Sequence, residues 1–262
     1  MARKNGSKRG SHNRRLRNEN KELQELLANN AMAIEEGPSK KHWSIHDILE
    51  VKPLTPTQED MFQDFFQGYN ICAYGSAGTG KTFLSMYLAF SEIFRKGGHQ
   101  NKVIIVRSAV PSRDIGHMPG DYDEKIALYE APYVDICQEL FGTFNAYNDL
   151  KAAGKVKFMT TSYMRGVTWD NAIVLVDEGQ NMTFHEINTI MTRVGVNTRL
   201  IFAGDMPQTD LRKHKNDTSG MADLLHIIER MENFSCIKFT HDDIVRSEFV
   251  KSWIIAAEEE LT

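Results

Sequence analysis

The chain has 262 residues and a formal net charge of −4, with 41% hydrophobic and 25% charged residues. This composition excludes wholesale disorder and collagen-like repeats, and the length suits one core domain with tails. No apolar run approaches the roughly 18 residues of a membrane span, and the basic N-terminus lacks the apolar stretch of a secretory signal.

Residues 1–19 are polar and basic and read as a disordered tail. Residues 1–21 hold eight Lys/Arg against one acid, Glu19, leaving 23 bases against 34 acids in the rest of the chain. Nonspecific attraction to nucleic acid is therefore concentrated in the tail, unless the tail is only a solvated, solubilising one. Residues 20–42 read as a short helix, with Leu23, Leu26 and Leu27 at helical spacing, and a Gly37-Pro38-Ser39 linker. Residues 43–262 form the core domain.

Apolar runs at 71–74, 103–106, 173–176, 200–203 and 236–239, the last broken by Lys238, are short and show little alternation. They suit strands buried on both faces of a parallel sheet, and their alternation with helical stretches predicts an α/β fold with right-handed crossovers. After Lys81, the residues Leu84, Tyr87, Leu88 and Phe94 predict a helix stopped at Gly97-Gly98. Thr183 and Glu186 have capping-box spacing, followed by a helix that turns Ile187, Ile190, Met191 and Val194 inward and ends at Gly195. From Ser247, the spacing of Val250, Trp253 and Ile254 predicts a packed closing helix. Cys72, Cys137 and Cys236 lie far apart without metal-type spacing, which predicts reduced thiols in a cytoplasmic protein.

Gly75-Ser76-Ala77-Gly78-Thr79-Gly80-Lys81-Thr82 satisfies G-x-x-x-x-G-K-[ST] in full, between a predicted strand and a predicted helix. Such a loop turns its amides around phosphates at a helix N-terminus. Lys81 would reach the β- and γ-phosphates of ATP and Thr82 would ligate Mg²⁺. Residues 173–176 then end in Asp177-Glu178, an acid pair at the carboxyl end of a strand, where ligands bind in open α/β sheets. Asp177 is the expected Mg²⁺ partner and Glu178 the residue that polarises the attacking water. A third strand ends in Gly204-Asp205, with Gln208 suited to sensing the γ-phosphate through a neutral amide. Gln58, ahead of the first strand, is a candidate reader of the adenine edge. Arg107, Arg165, Arg193 and Arg246 are candidate arginine fingers, each with an ordinary ion pair as the alternative. The histidines show no metal-ligand spacing.

These stretches resemble the PhoH family of P-loop ATPases, itself similar to the first motor domain of superfamily 1 helicases. The resemblance rests on residues 75–82, Arg107-Ser108-Ala109-Val110, Gly116-His117-Met118-Pro119-Gly120-Asp121, Tyr163-Met164-Arg165-Gly166, Asp177-Glu178-Gly179-Gln180-Asn181, Thr192-Arg193-Val194-Gly195, Gly204-Asp205-Met206-Pro207-Gln208 and Asp243-Ile244-Val245-Arg246. The chain departs from the usual family pattern at Ser108, where proline is common, and at Gly179, where alanine is common. The resemblance implies a RecA-like P-loop domain that hydrolyses ATP with Mg²⁺ and acts as a motor or remodeller on RNA or single-stranded DNA. Helicases of this type close ATP between two motor domains. One such domain implies a homo-oligomer, a hexamer among the possible rings, with Arg246 or Arg193 reaching a neighbour's ATP. A nucleotide-gated binding module with little turnover and a small-substrate kinase are the alternatives. No nuclease domain is visible, since the 42 residues before the core are too few to hold one.

Overall fold

The structure, a computed structural model, describes residues 42–108, 122–164, 166–205 and 219–261. The basic tail, the short helix and linker, the 116–121 stretch, Arg165 and Gln208 lie outside the described residues.

The elements run α1 (Pro56–Gln67), β1 (Asn70–Gly75), α2 (Lys81–Phe94), β2 (Lys102–Arg107), α3 (Tyr122–Phe141), α4 (Ala146–Ala152), β3 (Val156–Thr160), β4 (Ala172–Asp177), α5 (Phe184–Met191), β5 (Arg199–Asp205), α6 (Met221–Ile228), β6 (Phe234–Phe239) and α7 (Glu248–Leu261). The strands form one six-stranded sheet in the order β3-β2-β4-β5-β1-β6, and every pairing is parallel.

The sheet is buried on both faces, as its apolar runs predict. The period-two pleat sends Ile71, Ala73, Val103, Ile105, Ile173, Leu175, Ile201 and Ala203 to one face, under α1–α4. Cys72, Ile104, Val106, Val174, Val176, Leu200 and Phe202 go to the other, under α5 and α6. All six residues of β4 are buried, which explains its unbroken apolar run. Trp43 packs edge-on against Phe141 at 5.0 Å.

Some local expectations need correction. β3 is an additional strand at the sheet edge: Val156, Phe158, Met159 and Thr160 are buried but Lys157 is exposed, so it never reads as an apolar run. The capping box at Thr183 is present, with Glu186 N–H reaching the Thr183 hydroxyl at 3.3 Å, but its helix ends at Met191. Val194 instead bridges to Trp169, and Gly195 is needed because a Cβ there would lie 2.6 Å from the Trp169 carbonyl oxygen. The closing helix α7 forms, but Trp253 on it is 69% exposed; Ile254 is the residue that faces the body.

Candidate phosphate-binding and metal site

The register of the sheet decides what meets at its carboxyl edge. Arg107 pairs with Asp177 across β2 and β4, and Gly75 pairs with Asp205 across β1 and β5. One row of strand ends thus carries the phosphate loop, two carboxylates and a guanidinium.

The loop leaves β1 at Gly75, whose φ is +124°. A Cβ there would lie 1.9 Å from the Phe239 carbonyl oxygen of β6, so only glycine fits. Gly80, at φ +84°, is the N-cap of α2. Lys81 opens that helix and is buried. Its Nζ donates to the Ser76 carbonyl at 2.6 Å and the Thr79 hydroxyl at 3.2 Å, and lies 2.8 Å from Asp205 Oδ1. The ammonium is therefore held over the loop with its charge balanced by one carboxylate.

At the end of β4, Asp177 is buried and accepts two hydroxyl hydrogen bonds: Thr82 donates to Oδ1 and Tyr133 to Oδ2, each at 2.8 Å. Burial pushes its pKa up from the ordinary carboxylate range, and the two hydroxyls and Arg107 only partly oppose this. Glu178 has φ +55°, the left-handed region, which turns its side chain away from the strand direction. Burial, then the Asp177 charge, raises its pKa as well, against the pull of Arg107, whose Nη2 lies 3.8 Å away. Gln180 ties the two strand ends together: its Nε2 donates to Glu178 Oε2 at 2.6 Å, and its Oε1 accepts from the Asp205 N–H at 2.9 Å.

These groups face a cavity of about 440 Å³, within the usual range for ligand pockets. Residues 78–84, Asp177, Glu178, Gln180 and Asp205 line it, together with Lys52, Leu54, Gln58, Val245 and Arg246. Gln58 donates from Nε2 to the Thr79 carbonyl at 3.1 Å and accepts from the Leu54 N–H at 2.8 Å. Its amide oxygen is already engaged, so an adenine edge would meet its remaining N–H. Gly75, Ser76 and Ala77 lead into the lining part of the loop, and the Gly75 and Ser76 carbonyls accept from Lys81 Nζ. Arg246 lines the cavity of its own chain, whereas Arg193 lies elsewhere, its Nε donating to the Met164 carbonyl at 3.1 Å.

The donor set fits Mg²⁺. The Thr82 hydroxyl and the Asp177 carboxylate are hard oxygen donors beside a phosphate loop, and Mg²⁺ is held by one or two carboxylates with substrate phosphates completing its shell.

Sequence reasoning missed Tyr133 and Gln180 as parts of this site, and Glu258, which accepts from the Ser76 hydroxyl of the loop at 3.0 Å. The Asp-Glu-x-Gln spacing could have suggested Gln180, and Glu258 stands one helical turn after Ile254. Nothing local marks Tyr133, which reaches Asp177 across 44 positions.

The sequence profile of a family described as PhoH-like protein matches residues 50–258. Protein PhoH of Escherichia coli (strain K12) is 36% identical over 179 residues, covering 68% of this chain and 49% of that protein. A PhoH-like protein of Bacillus subtilis (strain 168) is 34% identical over 187 residues, covering 71% of this chain and 57% of that protein. The chain thus spans about half the length of the curated relatives it matches. The crystal structure of Pif1 helicase from Candida albicans overlaps with a TM-score of 0.37 at 14% identity, covering 76% of this chain and 43% of that one, too loosely to transfer anything.

Proposed function

The chain belongs to the PhoH-like protein family, and on that premise we propose that it is a Mg²⁺-dependent ATPase acting on or with RNA or single-stranded DNA as a motor or remodeller. One observation carries the reading: the phosphate loop and the Asp177–Thr82 pair, 2.8 Å apart, line the same cavity.

Lys81 exchanges the Ser76 carbonyl for phosphate oxygens when ATP enters, while the amides of residues 78–82 surround the phosphates at the start of α2. Thr82 and Asp177 hold Mg²⁺, which supplies charge neutralisation on the phosphates. Glu178 orients the attacking water. Gln180 keeps Glu178 in place and links it to Asp205, the partner of Lys81. Gln208 is assigned the sensing of the γ-phosphate, and Gln58 the adenine edge. The work is positioning and electrostatics, as phosphoryl transfer requires.

Arg246 serves the phosphates of its own chain, and Arg193 reaches the cavity of a neighbour in a homo-oligomer, a hexamer being the ring we favour. A monomer by light scattering at micromolar protein with ATP and Mg²⁺ would refute that assembly. Nucleic acid is engaged partly through the basic residues 1–21. Among the described residues no helix is long and apolar enough to cross a membrane, and with Cys72, Cys137 and Cys236 free we assign a cytoplasmic setting.

The test is ATP turnover with and without single-stranded RNA and DNA, in the full chain and two variants. Lys81→Ala should lose nucleotide binding. Glu178→Gln should still bind ATP but turn over roughly 10²–10⁴-fold more slowly. Unchanged turnover in Glu178→Gln would remove Glu178 from the role of orienting water, and negligible turnover in the full chain would overturn the hydrolytic reading and leave a nucleotide-gated binding module.

A further inference from the structure

The phosphate loop is held from behind by the C-terminal segment of the chain. Ser76 N–H donates to the Phe239 carbonyl at 3.2 Å, and Val245 N–H donates to the Gly78 carbonyl at 3.1 Å. A Cβ on Gly78 would lie 3.0 Å from Ile254 Cδ1 of α7. One turn further along α7, Glu258 is only 6% exposed. Its Oε2 accepts from the Ser76 hydroxyl at 3.0 Å, and its Oε1 lies 3.4 Å from the Ala77 N–H. His241 Nε2 lies 2.7 Å from the same Oε2.

A carboxylate buried behind an anion-binding loop is costly twice. It loses water, and its charge opposes the phosphates across the loop. Packing α7 alone would be served as well by an apolar residue beside Ile254. What the carboxylate adds is two acceptors aimed at consecutive residues of the loop, Ser76 and Ala77, 182 and 181 positions away. These residues lead directly into residues 78–82, which line the cavity. The Ser76 carbonyl is also the resting place of Lys81 Nζ, at 2.6 Å. The chain of contacts therefore runs from His241 through Glu258 and Ser76 to the phosphate-binding ammonium.

We infer that Glu258, backed by His241, is a positioning residue of the nucleotide site: it fixes the Ser76 and Ala77 part of the phosphate loop so that residues 78–82 are shaped for phosphate before ATP arrives. The inference rests on the proposed ATP site. Because Glu258 touches the loop at Ser76 and Ala77 and not the group that orients water, the effect falls on binding rather than on the chemical step.

The experiment measures Mg·ATP and Mg·ADP binding by calorimetry, with KM and kcat for ATP hydrolysis, in the full chain. Glu258→Ala should weaken both nucleotides about tenfold and raise KM to match, with kcat within about threefold of the parent protein. Glu258→Gln, which keeps an acceptor for Ser76, should recover most of the affinity. Ser76→Ala should weaken binding in the same sense, and the double variant should be no worse than the poorer single one, because one contact is lost in all three. If Glu258→Ala does not fold, Ser76→Ala and Glu258→Gln carry the comparison. A lowered melting temperature with unchanged nucleotide affinity, or strictly additive losses, would make Glu258 a mere docking residue of α7 and overturn the inference. A parent protein that binds no nucleotide sinks the ATP reading and this inference together, whereas tight parent binding that the variants share sinks only the latter.

Discussion

Tyr133 supplies a sharp test of how the metal-site carboxylate is supported. The side chain is fully buried, and its hydroxyl donates to Asp177 Oδ2 at 2.8 Å. Tyr133→Phe removes that donor, together with the oxygen that Arg107 donates to, and leaves one oxygen of a buried carboxylate without its hydroxyl. A hydrogen bond to a charged group contributes about 1.5–3 kcal/mol. At about 2–4 °C per kcal/mol for a domain this large, the melting temperature should fall by about 3–12 °C. The deficit should depend on pH. Burial already raises the Asp177 pKa in the folded state, so its contribution to stability is present below the unfolded value and is lost as pH rises through the folded one. Losing the hydroxyl, which favours the ionised form, raises the folded value further and extends the loss to higher pH. The variant's deficit should therefore be smaller in acid than at neutral pH, the part that remains in acid being the lost Arg107 contact. Thermal melts of both proteins across that range, without nucleotide, make the comparison. A constant deficit at every pH, or none, would show that the hydroxyl does not hold the Asp177 carboxylate.

Gly75→Ala must move the Phe239 carbonyl and adopt a φ of +124°, so it should destabilise by more than about 3 kcal/mol or yield insoluble protein, read by urea unfolding or soluble yield. Thr183→Ala removes the N-cap of α5 and should cost about 1 kcal/mol by urea unfolding while Mg·ATP affinity stays constant, since α5 does not line the cavity. Deleting residues 1–21 should weaken single-stranded RNA binding at about 50 mM salt and flatten its salt dependence up to about 200 mM. Equal affinities and slopes with and without those residues would remove the tail from the interface.

Much of the site could be read along the chain because its constraints are local. The glycines of the phosphate loop answer to the backbone path of eight consecutive residues, and Lys81 and Thr82 follow from being first in the next helix. Asp177 is found because a strand buried on both faces has to be apolar until it reaches the edge where ligands sit. The capping box at Thr183 is likewise a matter of residues three apart. β3 escapes the same reading because an edge strand that exposes Lys157 has no continuous apolar run. Tertiary packing decided the rest. Periodicity marks α7 as a helix, but which of its faces touches the body depends on the phosphate loop it packs against, and that choice turns Ile254 inward and buries Glu258 while leaving Trp253 in solvent. Tyr133 on Asp177 and Glu258 on Ser76 are contacts between residues far apart in the chain, and no local pattern encodes a partner that only the folded sheet brings within hydrogen-bonding reach.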